Sequence, residues 1–136
     1  LNVEPLRGKS YLALPISDLL KGVDEKNSLV RATLKVGGQM ISSNIYYFRP
    51  YKEMAFTRPN IKTEISPSSD GFNISLSSDR VARAVNLYGF NDGFSVDNYF
   101  DLLPDRPVEV HFRSDRKMTV DEFRNSLKVR SLADAF

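Results

Sequence analysis

The sequence predicts an all-β protein: an immunoglobulin-like β-sandwich, preceded by N-terminal strands from the end of another β-sandwich domain. Three observations lead there. Apolar and polar residues alternate with period two along much of the chain, which is the spacing of side chains on a half-buried strand. Turn residues punctuate the alternation at Gly37-Gly38, at Pro67-Ser68-Ser69-Asp70-Gly71 and at Asn91-Asp92-Gly93. These residue types supply positive φ or Asx turns. After residue 58, six short runs follow at close spacing, the rhythm of a small Ig-like sandwich.

Taken in order, Tyr11-Leu12-Ala13-Leu14 reads as a strand, and Ser17–Gly22 as one helical turn ended by glycine. Val30, Ala32, Leu34 and Val36 alternate with Arg31, Thr33 and Lys35. Gly37-Gly38 then turns the chain into a second strand from Gln39 to Phe48, making a hairpin. After Arg49-Pro50 one more short run is expected near Glu53 to Phe56. Thr57-Arg58-Pro59-Asn60 reads as a linker. Residues 1–57 therefore offer about three strands, too few for a sandwich of roughly seven. They are expected to be the terminal strands of a preceding domain, and residues 58–136 a complete sandwich.

In the second series, Ile61, Thr63 and Ile65 alternate up to the Pro67–Gly71 turn. Phe72, Ile74 and Leu76 form the next inward face, and Ala82 to Tyr88 another strand. Phe94 to Leu103 is expected to run as a single strand. Val108, Val110 and Phe112 face one way, with Glu109, His111 and Arg113 facing the other. Thr119-Val120-Asp121-Glu122 has the capping-box spacing of a helix start, with Phe123 in the turn that follows. Leu127 and Val129 belong to a last strand.

Composition narrows function. Hydrophobic content of 41% with 26% charged residues is that of a globular chain. A net charge of +2, with 19 basic residues scattered among 17 acidic ones, argues against a nucleic-acid partner. No apolar stretch approaches the roughly 18 residues of a membrane-spanning helix. The absence of cysteine removes disulfides, thiolate metal sites and a cysteine nucleophile. The start at Leu1 rather than Met reads as processing or truncation. No cofactor or metal is expected.

The most informative run is Asp97-Asn98-Tyr99-Phe100-Asp101-Leu102-Leu103-Pro104. On a single strand Asp97 and Asp101 would share a face about 13 Å apart, at about 3.3 Å per residue. A retaining glycosidase pair needs about 5–5.5 Å and an inverting pair about 6.5–9.5 Å, so these two carboxylates fit neither. The plainer reading has Asp97, Asn98 and Asp101 hydrogen-bonding backbone at strand ends. Tyr99 could serve as a tyrosine corner, with Phe100, Leu102 and Leu103 as core. His111, the single histidine, sits on a polar strand face and lacks partners for a zinc site. Ser114, His111 and Asp115 are the residue types of a nucleophilic triad, but nothing around them resembles a nucleophile elbow. Tyr46, Tyr47, Phe48 and Tyr51 are the densest aromatic patch. Tyr46, Tyr47 and Tyr51 are candidate sugar contacts, against the plainer reading that alternation buries about half of them. Asp92-Gly93 lacks the spacing of a calcium loop, and Asn73-Ile74-Ser75 is a glycosylation sequon meaningful only in a eukaryotic secretory setting.

The run 97–104 resembles the "DN(Y/F)FDLLP" signature of family-2 glycoside hydrolases of the β-mannosidase type. Other pieces resemble the same family in the same order. Asn44-Ile45-Tyr46-Tyr47-Phe48 with Pro50 and Lys52-Glu53-Met54 is similar to its "N-x-Y-F … K-E-L" strand, and Pro59-x-Ile61 to its "P-x-I". Phe72-x-Ile74-x-Leu76-Ser77-Ser78-Asp79 and Ala82-x-x-Val85-x-Leu87 are similar to the two strands that follow. One departure is Asp105-Arg106-Pro107, where the family often carries Gly-Glu after the proline.

The resemblance implies a non-catalytic C-terminal accessory region of an enzyme that removes terminal β-D-mannose residues with retention. The two catalytic glutamates would lie on a (β/α) barrel of roughly 250 residues, which this chain is too short to contain. None of the matching positions corresponds to either glutamate. The implied partners are the preceding domains of the same parent enzyme, with β-mannoside saccharides and a homodimer contact as further candidates. The implied compartment is periplasmic, lysosomal or secreted. A carbohydrate-binding module and a fibronectin-like spacer are the alternatives.

Overall fold

The computed structural model describes residues 8–104 and 106–135. The chain divides into two compact units, Leu1–Ala55 and Phe56–Phe136.

In the first unit a single helical turn, α1 (Ile16–Leu19), gives way to Gly22 at φ 76°. The left-handed backbone there is the glycine stop expected of Ser17–Gly22. A 3-10 turn follows at Glu25–Asn27, where the Asp24 carboxylate accepts the Lys26 N–H at 3.0 Å. Strands β1 (Leu29–Val36) and β2 (Gln39–Tyr47) then form an antiparallel hairpin, with Leu29 opposite Tyr47 and Val36 opposite Gln39. Gly37 and Gly38 take φ 58° and 84°. Positive φ at both central residues is what a type I′ turn demands, and L side chains resist it.

Two expected strands are not formed. Tyr11–Leu14 runs as irregular chain, and the segment near Glu53–Phe56 is a 3-10 turn (Tyr51–Glu53) followed by coil. Alternation makes a strand only where a neighbour supplies ladder hydrogen bonds. Among the described residues of this unit, β1 and β2 pair only with each other.

The second unit is a two-sheet sandwich. One sheet has the order β3 (Ile61–Pro67), β4 (Gly71–Ser78), β8 (Val108–Ser114), β6 (Gly93–Ser95). The other has the order β7 (Phe100–Leu102), β5 (Ala82–Tyr88), β9 (Lys128–Arg130). Alternation builds the interface between them. From β4, Phe72, Ile74 and Leu76 point inward; from β8, Val110 and Phe112; from β5, Val85 and Leu87; from β7, Leu102. Gly93 stands where β6 meets β8: a Cβ there would lie 2.1 Å from the Arg113 carbonyl oxygen. Any side chain would push the two strands apart.

Helix α2 (Val120–Ser126) closes the sandwich. Thr119 and Glu122 form the reciprocal capping box that their spacing predicts. The helix thereby inserts Phe123, which is fully buried. Its ring stacks on Phe72 at 4.4 Å and lies 4.6 Å from Phe112.

The expected single strand from Phe94 to Leu103 is instead two. Strand β6 belongs to the four-stranded sheet and β7 to the three-stranded one. The last rung of the first ladder is Val96 N–H to the His111 carbonyl at 2.9 Å. The chain then crosses between sheets at Asp97–Tyr99, with Tyr99 at φ 60°. The signature is therefore a sheet-to-sheet crossing, and the same-face spacing expected of Asp97 and Asp101 does not apply.

Candidate functional site

The crossing spends its polar side chains on backbone. Asn98 Oδ1 accepts the Leu87 N–H at 2.8 Å, and Asn98 Nδ2 donates to the Leu87 carbonyl at 3.0 Å. One amide thus satisfies both backbone groups of a residue that is itself buried on β5. Asp101 Oδ1 accepts the Ala84 N–H at 2.8 Å. The register between β5 and β7 shifts between Ala82 and Val85, and Ala84 has φ 49°. A bulge of that kind removes a residue from the ladder, and Asp101 supplies the acceptor the ladder does not. Asp97 Oδ1 takes the Asn98 N–H at 2.8 Å, and Asn98 Oδ1 also receives the Tyr99 N–H at 3.1 Å. These are the backbone bonds the plainer reading of the signature expects.

The hydrophobic half of the signature is graded. Leu102 is fully buried, whereas Phe100 and Leu103 are only partly covered. Tyr99 is 67% exposed. It does not form the expected tyrosine corner, whose hydroxyl would turn back into the sheet, because the left-handed backbone at Tyr99 throws the ring outward. Pro104 is exposed and ends the run.

The other candidates are dispersed or committed. His111 has Nε2 2.8 Å from Asp70 Oδ1 and Nδ1 2.9 Å from Asn73 Oδ1. Asp70 also pairs with Arg113 at 3.3 Å. The Ser114 hydroxyl donates to the Arg116 carbonyl at 2.5 Å. With the imidazole and the hydroxyl each engaged elsewhere, Ser114, His111 and Asp115 do not assemble as a triad. Asn73, the sequon residue, is exposed on β4 with its amide oxygen toward His111. Nearby, a shallow cleft of about 480 Å³ is lined by Asp70, Phe72, Ser114, Arg116 and Met118 among others. Of its lining cations Arg116 and Lys117, Arg116 pairs with Asp92 at 2.8 Å, and this contact holds the guanidinium pKa above its ordinary value. Among the described residues, no three His, Cys, Asp or Glu side chains are grouped to hold a metal ion, and no helix is long and apolar enough to cross a membrane.

On the hairpin, Tyr46 is 56% exposed and meets Phe48 edge-on at 5.4 Å, while Tyr47 and Tyr51 are half-buried. One feature sequence reasoning missed is the exposure of Tyr99 together with Phe94 and Val96, at 67%, 52% and 62%. A single strand would have turned Tyr99 to the face opposite Phe94 and Val96. The bend that brings it out depends on bonds to β5, which local periodicity does not carry.

The fold and this clamped crossing define an immunoglobulin-like β-sandwich whose most distinctive motif organises backbone. The family can be stated further. Residues 56–135 match the Ig-fold domain of mannosidases, and residues 1–53 match the mannosidase Ig/CBM-like domain. The chain belongs to the mannosidase Ig-fold family, the accessory Ig-like region of β-mannosidase-type glycoside hydrolases. Among solved structures it is similar to the β-D-mannosidase of Dictyoglomus thermophilum, with a TM-score of 0.70 at 18% identity. That likeness covers 83% of this chain and 14% of the other; the chain thus spans about 14% of the length of that enzyme. Among curated proteins there is no match.

Proposed function

We propose that this chain is a non-catalytic accessory region of a β-mannosidase-type hydrolase, with a packing and stabilising role. In this reading the parent polypeptide removes terminal β-D-mannose with retention, using carboxylates outside these residues. The observation that carries it is the use of Asn98 and Asp101. Both are committed to the backbone of β5, which is architecture rather than proton transfer. The partners in this reading are the other domains of the same parent. The test is hydrolysis of an aryl β-mannoside. The chain by itself is expected to give no turnover, and the parent polypeptide to turn the substrate over. Robust turnover by the pure 136-residue chain would overturn the reading.

A second reading is favoured by one observation: Tyr46 presents an exposed ring braced by Phe48. Exposed, rigid aromatics stack on apolar faces of ligands, so the hairpin would bind β-mannoside saccharides through Tyr46, with Tyr47 and Tyr51 beside it. Calorimetry against manno-oligosaccharides tests this. Binding that disappears in Tyr46→Ala supports it; absence of heat removes it.

A further inference from the structure

We propose that Met40 is an oxidation site whose sulfoxide is captured by Arg31, so that a hydroperoxide tightens the β1–β2 hairpin instead of loosening it. The site lies wholly in the first unit and is independent of the accessory-domain reading.

A bulge places the sulfur. Leu34 stands opposite Ser42, but Lys35 stands opposite Met40, so the register skips Ile41. In an unbroken ladder Ile41 would take the place beside Lys35. The extra residue instead moves Met40 onto the face that carries Arg31 and Ser43. There the Met40 sulfur lies 3.8 Å from Arg31 Nη2.

The guanidinium is fixed and under-used. Its Nε donates to Ser43 Oγ at 2.8 Å, which sets the direction of the fork. Nη2 meets only the thioether, a weak acceptor. Nη1 is shielded from water and, among the described residues, has no acceptor. A shielded cationic donor without a partner is costly, and a stronger acceptor at this point relieves it.

Oxidation supplies that acceptor. A sulfur lone pair attacks the terminal oxygen of a hydroperoxide, the O–O bond breaks and an S–O bond forms. The hydroperoxide proton passes to the departing oxygen, which leaves as water or an alcohol. Sulfur gives up two electrons and the peroxide is reduced. The new oxygen stands beside Nη2 and accepts a charge-assisted hydrogen bond, a stronger contact than the thioether makes.

Access selects Met40 among the three methionines. Met40 is 52% exposed. Met54 is 9% exposed, and Met118 packs against the core of the second unit. Exposure also sets the sign of the effect. A sulfoxide in a core disrupts packing, but the Met40 side chain is already half in water. Arg31 is on β1 and Met40 on β2, so the gained bond ties the two strands of a ribbon that is marginal by itself.

The 136-residue chain is treated with dilute hydrogen peroxide, and each methionine is followed by peptide mass spectrometry. Millisecond hydrogen–deuterium exchange of residues 29–47 is compared before and after. Met40 is expected to oxidise about tenfold faster than Met54 or Met118. The hairpin amides should then exchange about fivefold more slowly. Met40→Gln, which sets an amide oxygen in place of the sulfoxide, should give the same slowing without peroxide. In Arg31→Leu, Met40 should still oxidise, with no slowing relative to the same variant before treatment. Should the Arg31→Leu hairpin not form, the unsubstituted chain and Met40→Gln decide. Earlier oxidation of Met54 or Met118 overturns Met40 as the site. Unchanged or faster exchange after Met40 is oxidised overturns the capture by Arg31, as does equal slowing in Arg31→Leu.

Discussion

Asn98 shows how much one side chain can organise. Its amide answers both the N–H and the carbonyl of Leu87, and Leu87 is only 2% exposed. Removing the amide strands two backbone groups where water is scarce, at about 1–3 kcal/mol for each unpaired group. Asn98→Ala is therefore expected to lower unfolding free energy by about 2–4 kcal/mol in urea titration. Asn98→Asp should recover only part, since a carboxylate keeps the acceptor and loses the donor. A loss below about 1 kcal/mol would mean that water replaces the amide. At this scale the sequence was informative about chemistry and silent about partners. That Asp97, Asn98 and Asp101 bond backbone follows from their residue types. That the backbone belongs to Leu87 and Ala84, more than ten residues earlier, does not.

Elements were legible where the signal is local. Phe72, Ile74 and Leu76 lie buried as their period-two spacing requires, as do Val110 and Phe112. The capping box at Thr119–Glu122 begins α2 where its spacing places it. Its worth can be measured: Thr119→Ala is expected to cost about 1 kcal/mol, because the helix it starts positions Phe123 against Phe72. The same box gives an acid dependence. The Thr119 backbone N–H, then its hydroxyl, hold the Glu122 carboxyl below its ordinary value of 4.5. At the last turn of the described chain, the Ser131 N–H, with Arg58 assisting, holds the Asp134 carboxyl below its ordinary value of 3.8. A lowered folded pKa means that the unfolded chain binds more protons across the interval. The stabilisation is complete above the ordinary values and is lost as pH falls through the folded ones. Unfolding midpoints should therefore drop below about pH 5, and the drop should be shallower in a Glu122→Gln/Asp134→Asn variant. Where a signal was not local, the element was misread. The alternation from Phe94 to Leu103 suits one strand as well as two half-strands in different sheets, and only the pull of β5 on Asn98 and Asp101 separates them. Tyr11–Leu14 is an unbroken apolar run and forms no strand, since a run of apolar residues does not state whether a neighbouring strand exists.

At the scale of the molecule the two units differ in what supports them. The unit 56–136 has one apolar cluster that draws on both sheets and on α2, including Leu76, Val85, Leu102, Phe112 and Phe123. Such a core gives a domain of this size its cooperativity. The hairpin of the first unit has two strands, and a two-stranded ribbon is marginal in water without further strands or a packed face. Its face of Val30, Ala32, Leu34 and Val36 is largely uncovered, with Leu34 49% and Val36 62% exposed and Tyr46 56% exposed on the same side. Its two strands pair with each other from Leu29 opposite Tyr47 to Val36 opposite Gln39 around the Gly37-Gly38 turn, with Arg31 Nε donating to Ser43 Oγ at 2.8 Å across them. Cut between Ala55 and Phe56, the two pieces should behave differently. Residues 56–136 should unfold in urea with a single sigmoidal transition, by far-UV circular dichroism and by tyrosine fluorescence alike. Residues 1–55 should show no cooperative transition and little amide protection. If instead the short piece unfolds sigmoidally, the hairpin has a core of its own, and the exposed face is not what limits it. If the long piece loses its transition, the sandwich depends on the hairpin, and the eleven-residue cluster is not sufficient to fold it.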